Sequence, residues 1–236
     1  MIFAMLSEAI PTVNKLGLIE VSPPWGKAPS RLYMGKLGGL ELSCLVNGID
    51  EINGVDLIGP VPAAYSGTLA CSYIKPDLIV SCGTAGLLSE DLSEIGKTYL
   101  SKQKCIFHDR NVPLPGFDVS SLGNYPVLDV SALAFAIGAS QGIVSSGSSL
   151  ALSQADINVM QANNAKIKDM ECAAIAWVCT LSQTPFFAIK SITNVLLREE
   201  LSEDQFINNF DLAVSNLSFS VYEAILFIEK NECLQS

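Results

Sequence analysis

An alternation constrains this chain more than any single motif does. Apolar, β-branched runs bounded by glycine or polar turns (IFAM near the start, LELSCLVNG, PDLIVSCGTAG, KCIF and PFFAIKSITN) are separated by stretches of helical periodicity. Strands alternating with helices predict an α/β fold, a largely parallel or mixed sheet covered on both faces. PAAYSGTLACSYI, residues 62–74, places small and apolar residues at i, i+3, i+4 spacing until Lys75 and Pro76 close it. Asp169 reads as the N-cap of MECAAIAWVCTLSQ, which Pro185 bounds on the far side. SEDQFINNFDLAVSNLSFSVYEAILFIEK reads as a long amphipathic helix capped by Ser202, with Phe206, Phe210, Leu212 and Leu217 on its apolar face. WGKAPSRLY and HDRNVPLPGFDVSSLGNYP read as loops. The second is long for a connector and carries Phe107 and Phe117 as exposed aromatics, the pattern of a functional or interfacial loop.

Composition narrows the chemistry. With 236 residues, 49% hydrophobic and 16% charged, the chain suits one large domain over residues 1–236 with an ample core. Its net charge of −10 repels nucleic acid and anionic membrane surfaces, so neither is an expected partner. MIFAMLSEAIP lacks a secretory pattern, and no uninterrupted apolar run is long enough to cross a bilayer. The seven cysteines are odd in number, dispersed and never spaced C-x-x-C, which fits reduced thiols in the cytoplasm. With His108 as the single histidine, a His-based metal cluster is not expected, and neither is a cofactor. Carboxylates, amides and backbone are left to act.

Four stretches could supply them. FFAIKSITNVL, residues 186–196, is an apolar strand with a polar carboxyl end, where an open α/β sheet usually holds its ligand. DLIVSCGTAGLL puts a glycine turn after a strand. It is neither G-x-G-x-x-G nor a P-loop, and reads either as an ordinary turn or as a place where Gly83 and Gly86 admit a ligand beside the Thr84 hydroxyl. Glu171 stands in the first turn of a helix, where dipole compensation is the plain explanation. Its neighbours Met170, Ala173 and Ala174 indicate close packing instead, and an ionised Glu there could accept from a vicinal diol such as a ribose. Glu8, just after the first strand, is either a solvated carboxylate or part of the same site. SSGSSLALS is no nucleophile elbow, since G-x-S-x-G is absent.

AMLSEAIP, VNGI, SCGTAG, IFHDRNVPLPGFD, SGSSLALS, KDMECAA and IKSITN, taken in order and spacing, resemble the methylthioadenosine/S-adenosylhomocysteine nucleosidases of the nucleoside phosphorylase superfamily. The plant-type branch is the most similar, through HDRNVPLPGFD and KDMECAAIAW. The resemblance implies a twisted mixed central sheet flanked by helices, a homodimer, and hydrolysis of an N-glycosidic bond that releases adenine from a small-molecule nucleoside. By the same resemblance Glu8 holds and polarises the attacking water and Glu171 binds the ribose hydroxyls. Met170 packs under the sugar with Thr84 and Lys190 near it, and Leu150 and Ala151 line the adenine pocket, Leu150 in place of a common aromatic. Met5, Ile49 and Phe206 contact the 5′-alkylthio group, and the loop after Phe107 closes the partner's site. Phosphorylase relatives hold phosphate with an arginine at a strand end where this chain has Ser81, and at their other phosphate position it has Glu8, so water is the expected nucleophile.

One position departs from the family. Its general acid is an aspartate where this chain has Asn194, an amide with no proton to transfer. Three accounts are open: a substitution introduced to trap substrate, a natural weakened or altered mechanism, or a storage or nucleoside-binding relative. A purine nucleoside phosphorylase is the alternative enzyme. Retention of both Glu8 and Glu171 favours a nucleosidase framework.

Overall fold

A computed structural model describes residues 1–198 and 202–231, the Ser202 side chain excepted, so the proposed cap at Ser202 lies outside the described residues. The strands are β1 (Ile2–Phe3), β2 (Ile19–Val21), β3 (Arg31–Leu37), β4 (Leu40–Val46), β5 (Ile49–Asp50), β6 (Val55–Asp56), β7 (Ile79–Leu87), β8 (Thr98–Phe107), β9 (Tyr125–Pro126), β10 (Ser140–Ser146), β11 (Ala165–Asp169) and β12 (Phe186–Val195). The helices are α1 (Leu6–Lys15), α2 (Pro60–Leu69), α3 (Phe117–Leu122), α4 (Ser131–Ala136), α5 (Gln154–Ala162), α6 (Cys172–Leu181) and α7 (Ser202–Asn231). One π turn, Ala70–Ile74, prolongs α2 until left-handed Lys75 ends it, where the sequence placed the stop.

The main sheet runs β11-β10-β8-β12-β7-β1-β4-β3-β2. It is mixed: β12 lies parallel to β7 and antiparallel to β8. Its β11 end also curls back to pair antiparallel with β7 (Ile167 opposite Leu87, Lys168 opposite Gly86), which closes β7, β12, β8, β10 and β11 into a ring. Strand β12 sits inside that ring with all ten residues buried, which explains a run as apolar as FFAI. Its side chains alternate between two cores. Phe186, Ala188 and Ile192 join Ile2 and the buried faces of α2 and α6, while Phe187 and Ile189 join Phe3, α1 and α7.

Helix α7 is long and apolar enough to cross a membrane by length and composition alone. Here Ala213, Leu217, Val221 and Ala224 are buried at helical spacing on the second core. Leu212, expected on that face, is instead 51% exposed, because it lies one position out of this register. The segment WGKAPSRLY is a loop only to its middle, since β3 begins at Arg31. The long loop after β8 contains α3 and the short β9. Phe117 is exposed as expected, but Phe107 is 3% exposed, packed edge-on to Tyr125 and Trp177 at ring separations of 6.0 and 6.4 Å.

Candidate active site

Glu8 reaches its position because α1 is capped from a distance. Met5 stands at the N-cap without a side-chain cap, and Asp56 of β6 accepts the Leu6 N–H at 3.0 Å instead. One turn in, the Glu8 carboxylate is 3% exposed, and its Oε1 accepts both the backbone N–H and the hydroxyl of Thr84 at 2.7 Å. The surface-carboxylate reading of Glu8 is thereby excluded. Burial raises its pKa, while the Thr84 bonds and the charge of Lys190 oppose the rise. Gly83 lies between the two charged groups: a Cβ there would sit 3.4 Å from both Glu8 oxygens and 3.6 Å from Lys190 Nζ.

Lys190, in the middle of β12, is 1% exposed and pairs with Asp169 Oδ2 at 2.7 Å. It also donates to Ser81 Oγ at 3.3 Å. Ser81 is the third residue of β7 rather than a strand end, and it serves the lysine. Burial alone would depress the Lys190 pKa, but the charges of Asp169 and Glu171 carry it above the ordinary range, so the ammonium persists. Asp169 closes β11 and does not occupy the N-cap of α6, which is Glu171. It nevertheless does a cap's work, since Oδ2 accepts the Cys172 N–H at 3.0 Å. Its Oδ1 accepts the Ser146 hydroxyl, whose oxygen in turn accepts the Ala173 N–H at 2.8 Å. Two orphan donors of the first turn of α6 are thus satisfied.

From that N-cap, Glu171 Oε1 accepts the N–H of Gly59, itself the N-cap of α2, at 2.7 Å. Gly59 has φ +97°, and a Cβ on it would come within 4.0 Å of Met170 Cε. The residue keeps some surface, yet its carboxyl is crowded by protein. Burial, then the nearby Asp169 charge, push its pKa up to about 7. Native protein therefore holds this proton up to about pH 7, whereas the unfolded chain releases it near 4.5. Between those values the native state binds more protons, so stability falls as pH rises through that window. Urea midpoints at pH 5 and pH 7.5 should show this decline in the native protein and a smaller one in Glu171→Gln.

Asn194 stands at a bulge. Across from β7, Ile192 pairs with Ala85 and Asn194 with Gly86, leaving Thr193 as the extra residue that re-aims the strand end. Asn194 is 3% exposed, and its Oδ1 accepts the Thr193 hydroxyl at 2.9 Å. A Cβ on Gly86 would lie 3.1 Å from Asn194 Nδ2 and 2.8 Å from Leu196 Cδ2, so any larger residue there would press on the amide and displace the Leu196 tip. Helix α7 fixes the same stretch: Gln205 accepts from the Val195 N–H at 3.0 Å, and Asn209 donates to the Thr193 carbonyl at 3.0 Å. Lys168, opposite Gly86 on β11, donates to the carbonyls of Ser149 and Leu150 and so ties their loop to the Asn194 end. That loop is held from its other side as Asp109 accepts the Ser148 N–H at 2.6 Å.

A cavity of about 810 Å³, lined by Met1, Leu45, Ile79 and Ile228 among others, contains none of these groups. The carboxylates and the amide gather instead around the carboxyl halves of β7, β11 and β12.

A family model described as the phosphorylase superfamily matches residues 2–225. The 5′-methylthioadenosine nucleosidase of Arabidopsis thaliana is 33% identical over 96% of this chain and 85% of its own length. The chain belongs to this nucleosidase family. A 5′-methylthioadenosine/S-adenosylhomocysteine nucleosidase of the same plant is 31% identical over 99% of this chain and 92% of its own. The apo structure of Arabidopsis thaliana 5′-methylthioadenosine nucleosidase superposes with a TM-score of 0.92 at 32% identity, covering 96% of this chain and 93% of that one.

Of the positions carried over from the nucleosidase family, Glu8, Thr84, Met170, Glu171 and Lys190 share one network, with Asn194 and the Leu150–Ala151 loop at its β12 end. Met5 contributes through its backbone N–H to Glu8. Lys190 is buried among carboxylates, so it organises the site from below. Ile49 is 42% exposed on β5, and Phe206 is half-buried against Phe210 at a ring separation of 5.3 Å. Phe107 belongs to the aromatic core, so the expectation that it is an exposed aromatic is corrected. Sequence reasoning missed Gly59, Ser146 and Lys168, and it assigned Asp169 only a capping role. The adjacent charges of Lys168 and Asp169 at the end of a strand were the available signal.

Proposed function

We propose that this chain hydrolyses the N-glycosidic bond of 5′-methylthioadenosine, and of S-adenosylhomocysteine where its longer tail fits, releasing adenine and the 5-thioribose, with turnover slowed by Asn194. One observation carries the reading: Glu8 and Glu171 are both crowded by protein and both within electrostatic reach of the buried Lys190. Family membership and the names of the relatives support it.

The chemistry follows from the residues. With Oε1 of Glu8 engaged by Thr84, Oε2 remains to accept a proton from water, and burial makes this carboxylate a stronger base than a solvated one. Glu171, with Oε1 on Gly59, offers Oε2 to ribose hydroxyls. As the C–N bond breaks, positive charge on the sugar falls among acidic groups held in place before reaction. Water supplies the new C–O bond, Glu8 takes its proton, and the bonding electrons leave with the purine, which takes up a proton from solvent to become adenine. Asn194 can donate a hydrogen bond to the departing purine but cannot give it a proton.

Among the described residues neither site lysine is free for phosphate: Lys190 is paired with Asp169, and Lys168 is buried and spent on the Ser149 and Leu150 carbonyls. Adenine release should proceed in phosphate-free buffer, remain unchanged on adding phosphate, and fall by about 10²-fold or more in Glu8→Gln. Strict dependence on phosphate would instead make the chain a phosphorylase.

A homodimer completes the proposal. Val61 and Tyr65 of α2 are 79 and 48% exposed, and Ile52, Phe117 and Val119 in the loops that follow β5 and β8 are 92, 61 and 67% exposed. Apolar side chains left in water in such number support an interaction surface. Sedimentation at micromolar concentration should give the mass of two chains, and a monomer there would remove this part. The free cysteines among the described residues suit a reducing, cytoplasmic setting.

A further inference from the structure

Helices α2 and α6 start together at the site, where Gly59 meets Glu171, and they remain in contact along their length. They pack closely at Gly67, where a Cβ would lie 3.5 Å from Val178 Cβ and Cγ1. One turn beyond Gly67 is Cys71, in the π turn, and next to Val178 is Cys179. Thr184 joins the two cysteines across the helix pair: its Oγ1 lies 3.7 Å from the Cys71 sulfur and its N–H donates to the Cys179 carbonyl at 2.9 Å, with the Cys179 and Ser182 side chains bearing on the Cys71 thiol. Cys71 is half-buried and Cys179 is 1% exposed.

This microenvironment differs from that of the other thiols. Cys179 beside it, opposed by burial and aided by Ser182 and Thr184, lowers the Cys71 pKa to about 6. Burial pushes Cys44 and Cys82 up to about 12. Cys105 and Cys172 lie 3.3 Å apart but are both 0% exposed, a touching pair sealed from solvent, and burial raises Cys172 as well. Among the described cysteines, Cys71 combines access, a held thiolate and an adjacent partner thiol.

We propose that Cys71 and Cys179 form an oxidisable dithiol in which a peroxide attacks Cys71 and Cys179 resolves the product to a disulfide joining α2 to α6. The Cys71 thiolate attacks one peroxide oxygen, the O–O bond breaks, and the departing hydroxide is protonated to water, which leaves Cys71 as sulfenic acid. The Cys179 sulfur then displaces that hydroxyl and its proton leaves with it as a second water. Sulfur has given two electrons to the peroxide. The cross-link would brace, at its far end, the same helix pair that Gly59 and Glu171 join at the near end.

Hydrogen peroxide at pH 7 tests this on the native protein, with peptide mass spectrometry under non-reducing conditions. The expected product is a Cys71–Cys179 linked peptide about 2 Da lighter than its reduced parts, reversed by a phosphine reductant. Thermal unfolding of the oxidised protein should shift up by roughly 5–10 °C. In Cys179→Ser, Cys71 should instead trap a sulfenic-acid reagent such as dimedone, and Cys71→Ser should leave Cys179 unmodified. Native protein that stays fully reduced, or that oxidises first at Cys105, Cys172 or Cys233, overturns the proposal.

Discussion

Asn194→Asp is expected to raise adenine release from 5′-methylthioadenosine by about 10²–10⁴-fold, equivalent to about 3–5 kcal/mol of barrier. The backbone needs no change to accept the acid. The Thr193 bulge already aims the side chain, Gly86 leaves room under it, and Gln205 and Asn209 fix the strand from α7. A carboxyl at this place is 97% enclosed if it occupies the volume of the present amide, which is 3% exposed. Burial there favours the protonated form, the form a general acid requires. The Thr193 hydroxyl would bond the carboxyl as it now bonds the amide oxygen at 2.9 Å, leaving the acid proton for the purine. Single-turnover adenine release for both proteins, with either thio-nucleoside, measures the gain. An unchanged rate would mean that no acid works from this strand end, and would favour a binding or storage protein if the native chain is also inert.

Lys190→Met should cost about 3–5 kcal/mol of stability, because it leaves Asp169 buried without its counter-ion. Methionine matches the length of the stem, so the loss is chiefly electrostatic. The Lys190 charge also holds down the pKa of Glu171 and Glu8, and both would shift toward the protonated form when it is gone. The urea midpoint should drop by roughly 1–2 M. The double variant Lys190→Met, Asp169→Asn should recover part of that loss, since it removes the stranded charge. If the two substitutions instead destabilise additively, the pair is not the anchor described above.

Much of the fold was legible because its signals are local. Apolar runs ended by Gly or polar residues marked β1, β4, β7, β8 and β12, and Lys75-Pro76 marked the close of the α2 segment. The ring formed when β11 turns onto β7 was not legible: the antiparallel contact joins residues some eighty positions apart and leaves no periodic trace. The site divided in the same way. Glu8 and Glu171 were found by resemblance, since an isolated Glu in a first helical turn is indistinguishable from a dipole-compensating one. The resemblance puts Lys190 near the sugar, but sequence gives residue type and not depth, and only the fold shows it 1% exposed and paired with Asp169. Phe107 misled for the converse reason. It borders a polar, Pro-rich loop, but as the last residue of β8 its ring turns inward to Tyr125 and Trp177.

The curl of β11 onto β7 has a consequence for how these molecules meet one another. A strand that has already found a second neighbour offers no unpaired backbone to a stranger, so the growth of the sheet by addition of foreign strands is blocked on that flank. Among the described residues the margins left to the main sheet are β9, two residues long and paired only to β8, and β2, three residues long, with Glu20 held to Arg31 through two hydrogen bonds. Self-templated stacking would have to begin at one of those short thresholds.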